Sequence, residues 1–264
     1  MRMQRYRSGI RGALALILSL LAGAVVAGSD LAREQRLADE IVDSILDGDP
    51  LDLMAGSHEF LAIYTETEVE KPRGAVILLH GRGFHPDWAQ VAQPLRVGLV
   101  EAGWHTLSLQ MPVLNKEAKF YDYVSIFPES YPRIEAALDH LHQQGINNIV
   151  LLAHSCGTHM AMGWFEKFGD QRISAFVGIG MGATDYRQPM EKPFPLDRLS
   201  VPILDLYGGE DYPAVHRLAM ERSVAADKAG HPKSLQRIVP GADHYFIDKD
   251  DELLNAVSAW LTTL

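Results

Sequence analysis

A chain of 264 residues, 47% hydrophobic and 22% charged, can bury a sizeable core and fold as one large domain. Its formal charge of −10 repels phosphate backbones and anionic lipid, so nucleic acid is not an expected partner. Cys156 is the single cysteine, which excludes an internal disulfide and leaves stability to the core.

The chain begins with Arg2, Arg5, Arg7 and Arg11, followed by an uncharged, largely apolar run from Gly12 to Ser29. Small residues at Val25-Val26-Ala27 offer a cleavage point, so the pattern predicts a signal peptide over residues 1–27. A periplasmic or otherwise exported location follows. Cleavage would remove four arginines and no carboxylate, taking the net charge from −10 to −14. Left uncleaved, this run would be the only expected membrane attachment.

Residues 28–57 are expected to form an N-terminal helical arm, because Leu37, Ile41, Ile45 and Leu46 share one helical stripe. The main domain is expected over residues 58–264. Phe60 to Tyr64 reads as an early strand, and Lys71-Pro-Arg-Gly74 as a turn. Ala75 to Leu79 is all apolar, as in a strand buried on both faces of a parallel sheet. Trp88, Val91, Ala92, Leu95 and Leu99 then follow at helical spacing. Pro94 either splits that helix or opens its second half, and Gly103 stops it.

Strands are expected over Trp104–Gln110, Ile149–Leu152, Ala175–Ile179, Val201–Tyr207 and Leu235–Val239. Helical patterns separate them, around Ile134–Leu141, Met160–Phe168 and Ala214–Ala229, and a last one carries Leu253 to Leu261. This alternation predicts a mostly parallel sheet with helices on both faces. Two stretches lack periodicity, Pro112–Ser130 and Met181–Ser200, and both follow strand ends where crevices open. They are expected to form a short loop-type lid or pocket walls, although their aromatics could equally pin loops to the core.

The chemistry is concentrated in Asn147–Thr158, where an apolar strand runs into Ala153-His154-Ser155-Cys156-Gly157. Small residues two positions either side of a serine let strand and helix approach around a sharp turn that exposes its hydroxyl. Ala153 stands where the usual pattern has its first glycine. A serine needs a base to become nucleophilic, and an acid to orient that base. In chain order, Asp211 lies in the Gly-rich turn Tyr207–Asp211, and His244 follows the last strand in Pro240–His244. Glu210, Asp205 and Asp243 are lesser candidates for the acid.

Oxyanion donors are expected from the N–H of Cys156 and from the loop His80-Gly-Arg-Gly83, through Arg82 or Gly83. Phe84, His154, Phe120 and Tyr123 are candidates for contacting substrate. His140-x-His142 and His85-x-Asp87 each lack a third ligand, so no metal is expected, and no cofactor is implied.

Together these motifs resemble the α/β-hydrolase superfamily over roughly residues 58 to 264. More narrowly, Gly81-Arg-Gly-Phe-His-Pro-Asp-Trp88 and Trp104-His-Thr-Leu-Ser-Leu-Gln-Met-Pro112 resemble exported bacterial proteins of unknown function, the DUF3530 type. The resemblance implies the fold and the Ser-His-Asp set but no substrate. The expectation is a serine hydrolase acting on a small-molecule acyl ester. Peptide or thioester cleavage would use the same residues, and the rival reading is a non-catalytic envelope binding or assembly protein. Oligomeric state is not legible.

Overall fold

The computed structural model describes residues 28–185, 187–190 and 192–264, so the expected signal peptide lies outside the described residues. The order is α1 (Leu31–Val42), β1 (Asp49–Ala55), β2 (His58–Thr65), β3 (Gly74–Leu79), α2 (Ala92–Glu101), β4 (Trp104–Leu109) and α3 (Phe120–Val124). Then come α4 (Tyr131–Gln143), β5 (Ile149–His154), α5 (Cys156–Phe168), β6 (Ala175–Ile179), β7 (Ile203–Gly208), α6 (Pro213–Ala229), β8 (Leu235–Val239) and α7 (Asp250–Leu261). The strands form one eight-stranded sheet in the order β1-β2-β4-β3-β5-β6-β7-β8. Pairing is antiparallel at β1–β2 and β2–β4 and parallel across the rest.

Strand periodicity explains the two cores. Successive side chains point to opposite faces. Val76, Leu78, Val150 and Leu152 therefore pack with Leu95 and Leu99 of α2 and Val257 and Trp260 of α7. Ile77, Leu79, Leu151 and Ala153 face the other way, against Leu138 of α4 and Met160 and Trp164 of α5. With helices covering both faces, the middle strands read as continuous apolar runs.

The N-terminal arm differs from expectation. Its helix ends at Val42, Leu46 is 94% exposed, and Asp49–Ala55 is a strand pairing with β2. Leu51, Leu53 and Ala55 turn inward while Asp52 and Met54 face solvent, an alternation too short to read beside Gly48 and Pro50. Pro94 occupies the third position of α2, where its missing N–H costs no intrahelical bond. Of the two irregular stretches, the first contains α3 and a 3₁₀ turn at Phe127–Ser130, and the second a 3₁₀ turn at Leu196–Arg198.

No helix among the described residues is long and apolar enough to cross a membrane. The arm is tied to α4 by charge. Glu34 and Arg133 are both nearly fully buried and contact each other at 2.8 and 3.1 Å, with Arg133 also donating to the carbonyl of Gln110. Removing one member strands the other in a dry interior. Glu34→Ala is expected to destabilise the fold by about 3–5 kcal/mol. Urea denaturation measures it, and a shift below about 1 kcal/mol would show the pair to be dispensable.

Candidate active site

β5 ends at His154, and Ser155 turns the chain into α5 with φ 54° and ψ −120°. Few side chains tolerate such a backbone, and it persists only where the surroundings impose it. The Ser155 N–H is held by the carbonyl of Ile179 at 2.9 Å. A Cβ on Gly157 would lie 2.7 Å from the carbonyl oxygens of both Leu79 and His80, so α5 starts in contact with the end of β3. Ala153 is fully buried, and its methyl joins the core on the α4 and α5 side, which accommodates the departure from glycine.

Three loops meet Ser155. The turn after β7 carries Asp211, and its Gly209 and Glu210 N–H groups donate to the carbonyls of Val239 and Ala242 at 2.8 Å each. That pairing fixes the acid turn against the loop bearing His244. His244 Nδ1 lies 2.6 Å from Asp211 Oδ1, and its Nε2 lies 2.8 Å from Ser155 Oγ. Gly180 closes the other side of the ring, where a Cβ would stand 2.7 Å from His244 Cε1. Burial pushes the Asp211 carboxyl up, but the hydrogen bond and charge of His244 and the Tyr212 N–H outweigh it, leaving it below its ordinary value. An ionised Asp211 requires Nδ1 to donate, which leaves Nε2 free to accept the Ser155 hydroxyl proton.

Tyr212, which sequence reasoning did not single out, stacks on the His244 ring at 4.3 Å and 23°. Its hydroxyl meets that of Tyr245 at 2.9 Å. Its position directly after Asp211 was the available signal.

The other candidates for the acid are engaged elsewhere or face solvent. Asp205 is buried against Arg222 at 2.8 Å, Asp243 accepts the Tyr245 and Ile247 N–H groups, and Glu210 is exposed.

Ser155 opens into a cavity of about 760 Å³ whose walls include Arg82, Phe84, Phe120 and Cys156. Residues 183–185 and 187–189 of the second irregular stretch form another wall, so the expected loop cover corresponds to this segment and the start of α3. Three expected contacts are not made. His154 is buried behind the site, with Nε2 donating to the His244 carbonyl at 3.0 Å. As the last residue of a central strand, it points into the layer rather than the crevice. Tyr123 is buried and its hydroxyl accepts the Leu114 N–H, because α3 turns that face inward. Gly83 is absent from the cavity wall; its carbonyl accepts from Arg33, and its position faces Arg33 and Tyr123.

Cys156 opens α5, so its N–H lacks an intrahelical partner, while burial pushes its thiol up to about 12. His140 pairs with Gln144, His142 with Arg172, and Asp87 with Arg96.

Burial lowers three histidines around the site, His80 and His154 to about 3 and His159 to about 4. Each ring donates to a backbone carbonyl, Gly81 for His80, His244 for His154 and Ala183 for His159, a bond that favours the charged form but is outweighed by burial. Unfolding restores values near 6.5, so the unfolded chain binds protons that the folded one refuses. Stability is therefore complete above that value and is lost as pH falls toward 4. The expected slope is about 1.4 kcal/mol per pH unit for each histidine below about pH 5.5. Urea midpoints between about pH 7.5 and about pH 5 measure this, and a flat series would contradict it.

A family model described as protein of unknown function (DUF3530) matches residues 24–123 and 125–263. A search of curated proteins finds no match. Among solved structures, the chain is similar to Est1E from Butyrivibrio proteoclasticus at TM-score 0.62 and 14% identity, covering 82% of this chain and 98% of that one. It is also similar to XC6422 from Xanthomonas campestris, described as an α/β serine hydrolase without lid, at TM-score 0.61 and 12% identity, covering 83% and 95%. A third is P91, a dienelactone hydrolase-like promiscuous phosphotriesterase from metagenomic libraries, at TM-score 0.62 and 13% identity, covering 82% and 98%. These likenesses establish the α/β-hydrolase fold, and the chain belongs to the DUF3530 family.

Proposed function

We propose that the protein is a serine hydrolase cleaving a carboxylic ester through an acyl-enzyme. The observation that carries this reading is the unbroken row Asp211–His244–Ser155, at 2.6 and 2.8 Å, opening on a cavity. A binding module has no need of a strained serine hydrogen-bonded to a histidine with a buried carboxylate behind it.

In this reading Ser155 Oγ attacks the carbonyl carbon while its proton passes to His244 Nε2. Asp211 holds the imidazole in orientation and offsets its new charge. The oxyanion is received by the Cys156 N–H and by the Arg82 N–H, the latter chosen over Gly83 because Arg82 lines the cavity. Collapse expels the alcohol, which takes the proton from His244. Water then adds to the acyl group, giving its proton to His244, and the acid leaves as Ser155 recovers its hydrogen. Tyr212, stacked on the imidazole, keeps water from one face and offers π density to the charged form. With its N-terminal arginines and apolar run, the protein is proposed to act outside the cytoplasm.

Purified protein is expected to hydrolyse 4-nitrophenyl esters of short acids and to be labelled at Ser155 by a fluorophosphonate. Ser155→Ala should lose both, with a rate loss of at least about a thousandfold. A folded wild type that neither turns over an ester nor takes the label would favour the binding-protein reading. Asp211→Asn should keep the fold while lowering kcat by about 10³–10⁴, because the amide no longer fixes the donating Nδ1 tautomer. Unchanged kcat in that variant would remove Asp211 from the mechanism.

A further inference from the structure

The cavity beside Ser155 carries a charge opposite to that of the chain. Among the described residues lining it, the charged ones are Arg82, Arg187, Arg217 and a single carboxylate, Asp185. The whole sequence has formal charge −10, with 34 acidic against 24 basic residues, so three arginines around one cavity run against the composition. The uncharged lining includes four aromatic rings, those of Phe84, Phe120, Tyr212 and Tyr245.

Arg82 is held in place but not used up. Its Nη1 donates to both oxygens of Asp185, at 3.0 and 2.9 Å, and Asp185 is fixed in turn by the Phe120 N–H. Burial raises the Asp185 carboxyl, yet Arg82 and the Phe120 N–H more than reverse this and keep it ionised. Nε and Nη2 of Arg82 donate to no described group, and its side chain is 34% exposed. The charge of Arg82 is felt at Cys156 and at Tyr212, which places it within range of the reacting serine. Arg217, on the first turns of α6, is exposed and makes no ion pair among the described residues.

A guanidinium with open donors on a concave, partly apolar wall suits a planar oxyanion. A cationic substrate would meet the like charges of Arg82 and Arg217. Nucleic acid is disfavoured by the acidic exterior and by the cavity's size. A neutral ester would leave the open donors of Arg82 and the charge of Arg217 unmatched.

We propose that the site takes an ester whose acyl part ends in an ionised carboxylate, held by Arg82 and Arg217 while Ser155 addresses the ester carbonyl. This rests on the serine-hydrolase reading above. The cationic wall also draws such substrates into the mouth of an otherwise repelling molecule.

The test compares mono-4-nitrophenyl glutarate with 4-nitrophenyl valerate, which share acyl length and leaving group. The hemiester is expected to be preferred in kcat/KM by about tenfold, a preference that shrinks as salt rises. Arg217→Gln, at an exposed position, should pull that ratio toward one, and Arg82→Gln, which keeps the backbone N–H, should do the same. Equal or faster turnover of the valerate, still dependent on Ser155, would overturn the anion site and leave the hydrolase reading standing. A preference surviving in both variants would overturn the assignment to these arginines. Titration calorimetry with glutarate covers the case in which neither ester reacts. Heat abolished by Arg217→Gln supports the site, and absence of heat with wild type overturns it independently of catalysis.

Discussion

The positive-φ turn at Ser155 is the constraint on which the rest of the site depends. A non-glycine residue at φ 54° and ψ −120° costs about 1–3 kcal/mol, and the fold meets that cost through contacts that leave no alternative. The Ile179 carbonyl pins the Ser155 N–H, and the carbonyls of Leu79 and His80 crowd against Gly157. Each contact joins a different strand to the same turn. The serine hydroxyl is consequently presented at the junction of β3, β5 and β6, where the acid turn and the histidine loop also arrive.

That junction is dry on its inner side. His80 and His154 fill the space behind the site as neutral rings. His80 donates through Nδ1 to Gly81 and accepts the Met111 N–H at Nε2. These bonds give the Gly81–Phe84 loop and the His244 backbone fixed positions without adding charge beside the imidazole. The N-terminal helix supports the same loop from outside. Arg33 donates to the carbonyls of Gly83 and Leu114, while neighbouring Glu34 pairs with Arg133. The arm is thus a brace for the proposed oxyanion loop, not an appendage.

Electrostatics divide the molecule into an acidic exterior and a cationic pocket. Burial keeps the Cys156 thiol protonated, so the cysteine next to Ser155 contributes its backbone and not its sulfur. Of the cavity arginines, Arg82 is held by Asp185, which keeps it from folding outward.

Much of this was legible beforehand. Apolar runs such as Ala75–Leu79 announced buried parallel strands, because both faces are covered and no polar residue interrupts them. Ser155, Asp211 and His244 were legible because each lies beside a glycine-bearing strand end, in an order that a parallel sheet brings to one edge. The strand Asp49–Ala55 was hidden by its short alternation, and it pairs along its whole length with β2. His154 and Tyr123 were misplaced for a related reason. Adjacency to Ser155 or to an aromatic loop says nothing about which way a side chain points once a strand ends or a one-turn helix rotates. The alternation of elements, the turn at Ser155 and the chain order of Ser155, Asp211 and His244 can be read from the residues alone, since they follow from local sterics and periodicity. Packing alone settled which histidine meets Ser155, which arginines share its cavity and what holds the proposed oxyanion loop. Those contacts join residues far apart in the chain, and side-chain direction there is set by packing.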